Sequence, residues 1–155
     1  MLHNLLEFTG SPSEAPPPPL GEKQDPAAAT GLFATPILVV EDESMIAWMI
    51  ENVLLDAGFT TVEMASTGED AEQLAARGRP GLIISDVNLG RGKDGIAAAS
   101  AIRAASGAVP LIFVTAYADD MMRERLAAEL PGAQMLRKPV EETALIRAVM
   151  RALAH

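Results

Sequence analysis

A chain of 155 residues, 49% of them hydrophobic, is long enough for one domain with a substantial core. With no cysteine it excludes disulfides and thiolate metal sites, a composition suited to a reducing, cytoplasmic compartment. The formal net charge of −9 disfavours nucleic acid, whose binding rests on clustered Lys and Arg, and no apolar run approaches the roughly 20 residues that span a bilayer.

Met1 to Phe8 has no basic opening, and His3, Asn4 and Glu7 interrupt its apolar stretch, so it does not read as a secretory leader. Leu2, Leu5, Leu6 and Phe8 suit a single helical turn, too short to be stable without docking. Residues 11–31 are dominated by Pro, Ala, Gly, Ser and charge, with Pro16 to Pro19 consecutive. Such a segment cannot assemble a core and is expected as a disordered arm, with a polyproline ligand as the alternative. The expected organisation is a tail over 1–35 and a domain over 36–155. Glu7, Glu14, Glu22 and Asp25 against Lys23 assign −3 of the charge to the tail and leave −6 to the domain.

From Pro36 strands and helices alternate. Ile37 to Val40 is an apolar strand; Ser44 is placed to cap a helix with Met45, Ile46, Met49, Ile50, Val53 and Leu54 at helical spacing, stopping at Gly58. Thr60 to Ala65 reads as a second strand, and Ser66 or Thr67 as the cap of a helix to about Arg77. Gly78, Pro80 and Gly81 precede the buried run Ile83-Ile84-Ser85-Asp86. Asp94 caps an alanine-rich helix to about Ser106, Val109 to Thr115 is a fourth strand, and Asp119 and Asp120 open a helix to about Glu129. Gln134 to Arg137 leads to Lys138-Pro139, and Glu141 and Glu142 open a last helix with Leu145, Ala148, Val149, Ala152 and Leu153 inward. The alternation predicts an α/β fold: a five-stranded parallel sheet with helices on both faces. The flavodoxin-like order 2-1-3-4-5 is preferred because it brings Glu41, Asp42 and Asp86 to one edge, where ligands of open α/β sheets bind.

Clustered carboxylates repel: two like charges about 4 Å apart cost on the order of 4 kcal/mol at an effective dielectric of 20. A cation is therefore implied, and oxygen donors without Cys or His favour Mg2+ over zinc. Asp86 is the candidate nucleophile, since a carboxylate can accept a phosphoryl group as an acyl phosphate. Thr115 would offer a hydroxyl and Lys138 a point charge to its oxygens. Pro139 makes a cis Lys-Pro bond plausible. Taken singly, Thr115 is also an ordinary β-branched strand residue and Lys138 an ordinary surface lysine.

Ile37 to Glu43 (ILVVEDE), Asp86 after an apolar strand, Thr115 and Lys138-Pro139 together resemble the receiver domain of two-component response regulators, over about Pro36 to His155. The resemblance implies Mg2+ held by Glu41, Asp42, Asp86 and the backbone carbonyl of Asn88. It implies transfer to Asp86 from a phosphohistidine on a sensor histidine kinase or a histidine phosphotransfer protein. It departs at Met135, where the family usually has an aromatic switch residue three positions before the lysine. Pro110 to Tyr117 resembles instead the FATGUY subgroup of stand-alone receivers, with Val114 and Ala116 deviating, and makes Tyr117 the substitute switch candidate.

The expected output is protein–protein contact with an unknown downstream protein, with Ile146 and Met150 as candidate outward residues and a monomer or weak homodimer as the state. No DNA-binding segment is expected. Gly90 to Gly95 matches G-x-G-x-x-G, but it follows an internal strand, Asp86 would repel a pyrophosphate, and no acid stands about 20 residues on. It reads as a loop whose Arg91 and Lys93 contact a kinase or the phosphoryl group. Trp48 is expected to pack, with a place at the first helix's surface, near where a histidine-bearing partner would dock, as the alternative, and His3 and His155 are expected to lie apart from the acids. Open alternatives are a Mg-dependent phosphatase working through an aspartyl phosphate, a flavin-binding domain of the same topology, and a receiver used only as a scaffold.

Overall fold

The structure is a computed structural model describing residues 31–90 and 92–154. Ten elements alternate: β1 (Ile37–Val40), α1 (Ser44–Ala57), β2 (Val62–Ala65), α2 (Gly68–Gly78), β3 (Leu82–Asp86), α3 (Gly95–Ser106), β4 (Leu111–Thr115), α4 (Asp120–Glu129), β5 (Gln134–Arg137) and α5 (Glu142–Leu153). The strands form one parallel sheet in the order β2-β1-β3-β4-β5, as expected.

Successive strand residues point to opposite faces, so each strand feeds two cores. Leu38, Val40, Ile83 and Phe113 pack with Ala71, Ile96, Ile102 and Leu126 of α2, α3 and α4. Ile37, Val39, Ile84 and Ile112 pack with Ile50 and Leu54 of α1 and Leu145 and Val149 of α5. The central strands β1, β3 and β4 are buried throughout, which explains their unbroken apolar runs.

Local rules set most helix starts. Thr67, Asp94 and Asp119 each accept a bond from the backbone N–H three residues on, at 3.1, 2.7 and 2.8 Å, and so cap α2, α3 and α4. The first helix departs from expectation. Ser44 is its first helical residue, the cap position belongs to Glu43, and no side chain caps it. Ala47, Ile50 and Leu54 form its buried stripe, while Met45 and Trp48 are 83% and 65% exposed. Trp48 therefore takes the surface position, because the buried stripe of the helix runs through Ala47, Ile50 and Leu54 and leaves Met45 and Trp48 on the other side.

Three smaller expectations also shift. Packing begins ahead of Pro36, because the Phe33 ring meets Phe59 edge-on at a centroid distance of 5.1 Å. The second and fourth strands start later than expected, at Val62 and Leu111. On α5, Met150 faces outward but Ile146 is partly buried against the α1 side of the core.

The end of β3 imposes the tightest constraint. The Gly95 N–H donates to the Val87 carbonyl at 2.8 Å, and a Cβ at Gly95 would overlap the Asp86 carbonyl oxygen and lie 2.8 Å from Ser85 Oγ. Both groups belong to a buried strand end and have no room to move. Gly95→Ala is expected to destabilise the fold by about 1–3 kcal/mol, read as a lower urea midpoint. Gly78→Ala, on open helix surface, should leave the midpoint unchanged or raise it.

Candidate functional site

Parallel pairing of β1 with β3 sets Val40 beside Ser85, which brings Glu41 next to Asp86 at the carboxyl ends of adjacent strands. Glu41 and Asp86 are 3% and 8% exposed, and Asp42, one residue on, faces solvent. One carboxylate oxygen from each of the three lies within 4.8 Å of the others. Gly90 closes over this edge at φ +70°, where a Cβ would stand 2.9 Å from Asp42 Oδ2.

Lys138 enters from the far side of β4. Its backbone N–H donates to the Thr115 carbonyl at 2.9 Å, and its peptide bond to Pro139 is cis. Its ammonium lies 2.8 Å from Asp86 Oδ2 and 3.1 Å from Glu41 Oε2, and it donates a longer bond of 3.3 Å to Glu41 Oε1. The other Asp86 oxygen accepts the Asn88 N–H at 3.1 Å. Glu41 Oε1 also accepts the Glu43 N–H at 3.3 Å, while Oε2, for all its closeness to the ammonium, accepts no aligned hydrogen bond and is buried.

The charge balance follows from this geometry. Burial pushes the Glu41 carboxyl up to about 7, partly opposed by its bond from Lys138 and reinforced by the neighbouring Asp86. Burial also acts on Lys138, in the direction of the neutral amine, but its bonds to Asp86 and Glu41 outweigh that and hold the ammonium above its ordinary value. One cation thus meets two of three carboxylates, leaving the cluster net negative with an orphaned buried oxygen. Such a set, all hard oxygen donors, fits a small divalent cation such as Mg2+ better than a soft metal.

Thr115 is 1% exposed at the end of β4. Its hydroxyl is already engaged: it donates to the Tyr117 carbonyl at 3.0 Å and accepts the Tyr117 N–H at 3.2 Å. The Tyr117 ring itself is 77% exposed. Glu41, Asp42, Asp86 and Lys138 thus converge as expected, and Thr115 lies on the same sheet edge with its hydroxyl turned to its own loop. Asn88 is exposed beside Asp86, and Met135 is partly buried on β5.

The loop after β3 is where sequence reasoning fell short. Lys93 does not reach toward the acids; its ammonium pairs with Glu72 of α2 at 2.9 Å, and its N–H donates to Glu69. Asp94 both caps α3 and pairs with Arg125 of α4 at 2.8 Å, a contact across 31 positions that no local pattern announces. Arg91, His155 and His3, with the rest of residues 1–30, lie outside the described residues. Among the described residues, no helix is long and apolar enough to cross a membrane.

Comparison with known proteins agrees with this arrangement. The chain is 33% identical over 123 residues to the phyllosphere-induced regulator PhyR of Methylorubrum extorquens, covering 78% of this chain and 44% of that protein. It is 34% identical over 119 residues to the transcriptional regulatory protein PdtaR of Mycobacterium tuberculosis, covering 77% and 57%. The chain thus spans about half the length of these curated relatives. Among solved structures, chemotaxis protein CheY4 of Vibrio cholerae superposes with a TM-score of 0.71 at 28% identity, covering 77% of this chain and 98% of that one. A response regulator receiver protein of Sinorhizobium medicae gives 0.69 at 27% identity, covering 78% and 95%. The sequence profile of the response regulator receiver domain matches residues 37–150, the span that carries both the sheet and the acid edge, and the chain belongs to that family.

Proposed function

We propose that this receiver domain accepts a phosphoryl group on Asp86 from a phosphohistidine of a sensor histidine kinase or histidine phosphotransfer protein, and signals to a downstream protein through the surface around Tyr117. The observation that carries the reading is the Lys138 ammonium 2.8 Å from Asp86, with Glu41 and Asp42 on the same edge. A carboxylate oxygen of Asp86 attacks phosphorus, the P–O bond forms as the P–N bond breaks, and the imidazole leaves with the electron pair and takes up a proton. Lys138 steadies the developing charge on the transferred oxygens. Glu41, Asp42, Asp86 and the Asn88 carbonyl are the groups that would hold Mg2+, which when bound neutralises phosphoryl charge. Asn88, an amide, offers no general acid beside the acceptor, which favours storage of the phosphoryl group over phosphatase turnover.

Thr115 links the acceptor to the loop. Its single hydroxyl hydrogen is donated to the Tyr117 carbonyl. Donating it to a phosphoryl oxygen instead frees that carbonyl and lets the segment Ala116 to Asp119 rearrange. Moving such an element from 1:99 to 99:1 requires about 5.5 kcal/mol of preference, within reach of several charge-assisted bonds. With Met135 in place of an aromatic on β5, Tyr117 is the ring nearest this rearrangement in sequence.

Incubation with a small acyl phosphate and Mg2+ should add the mass of one phosphoryl group to the wild type and none to Asp86→Asn. Equal labelling of both would place the acceptor elsewhere. Stability in chelator is expected to fall as pH rises from about 4.5 to about 7, because folded Glu41 keeps a proton that the unfolded chain has released. The loss amounts to about 3 kcal/mol and levels off above that range. Glu41→Gln should flatten this slope. Mg2+ at neutral pH should raise the thermal midpoint of the wild type more than that of Asp86→Ala; equal shifts would remove Asp86 from the ion's ligands.

A further inference from the structure

The solvent face of α1 carries an apolar stripe that nothing among the described residues covers. Met45, Trp48, Met49 and Leu55 are 83, 65, 36 and 43% exposed. They recur at the three- and four-residue spacing of one helix face, the pattern a second helix fits. We propose that the occupant is this chain's own amino-terminal segment, with Leu2, Leu5 and Leu6 laid along the Met45–Trp48–Met49 stripe.

The point of attachment supports this. The Phe33 ring lies where a Cβ on Gly58, the C-cap of α1, would come within 3.3 Å of it, and the Phe33 carbonyl accepts the Thr60 N–H at 3.1 Å. The described part of the chain therefore begins two residues before a contact with the carboxyl end of that helix. The 22 residues from Thr9 to Thr30 reach about 70 Å when extended. α1, with 14 residues, is only about 21 Å long.

Leu2, Leu5 and Leu6 share one helical face with the spacing that matches the stripe. A turn this short is unstable alone. A tether that holds it at an effective concentration of about 1 mM allows a contact of only about 0.1 mM affinity to be filled in about nine molecules of ten. Charge disfavours the other self-made occupant, a second copy of α1: the helix carries Glu51 and Asp56 and no basic residue, so two copies would set like charges together. The amino-terminal segment brings a single acid, Glu7, beside His3.

Trp48 is the only tryptophan, so its emission reports on the stripe alone. In the full chain, acrylamide quenching of Trp48 should increase about twofold or more when Leu5→Ser/Leu6→Ser releases the segment, with emission shifted to the red. Met45→Ser/Met49→Ser should raise the quenching in the same way, and the wild-type protection should not change on dilution. Equal quenching of the wild type and Leu5→Ser/Leu6→Ser overturns the proposal. So does protection lost on dilution, which would identify a second copy as the cover. Far-UV circular dichroism of Met45→Ser/Met49→Ser should match the wild type, because both methionines are exposed.

Discussion

Among the described residues, the ammonium of Lys138 is the group that joins the carboxyl ends of β1, β3 and β5. It bonds across 97 positions to Glu41 and across 52 to Asp86, while its own backbone is tied to β4 at Thr115. Such an arrangement exists only if all four strands are parallel and in register, because a shift by one residue would turn Glu41 or Asp86 to the other face. Two buried carboxylates without this cation would face both desolvation and mutual repulsion. The fold in turn keeps the ammonium in place by seating its side chain, 14% exposed, in the cleft between the strand ends.

The site is not optimised for stability. Glu41 keeps an unbonded buried oxygen and a carboxyl pushed toward neutrality. That unfavourable arrangement is tolerated because the sheet beneath it is closed on both faces by apolar side chains. A cluster short of positive charge has the composition that a cation would complete, and the Glu41 carboxyl, raised by burial at a strand end, is the kind of perturbed group that functional sites concentrate.

Around the acids, two ion pairs connect the edge to neighbouring helices and one hydrogen-bonded turn holds the loop after β4. Lys93 fixes the loop after β3 to α2 through Glu72, Asp94 ties the start of α3 to α4 through Arg125, and Thr115 holds the turn at Tyr117. The two ion pairs are more than 30% exposed at every partner, so each is worth about 0–1 kcal/mol. Their role is positional: weak, exposed pairs can be exchanged at little cost when the loops between them move.

The local rules written in the chain determined the alternation of strands and helices, the caps at Thr67, Asp94 and Asp119, and the emergence of Glu41 and Asp86 at strand ends, because each depends on neighbours a few positions apart. The preferred strand order followed from the single demand that three acids meet, and the sheet met it. What only tertiary structure decided are relations between distant residues: the ion pair of Asp94 with Arg125, the diversion of Lys93 to Glu72, and the engagement of the Thr115 hydroxyl by Tyr117. Helical spacing grouped Met45 and Met49 with Ile50 and Leu54 and did not fix which side of α1 meets the sheet. The folded helix buries Ala47 with Ile50 and Leu54, and the methionines and Trp48 are left at the surface as the consequence.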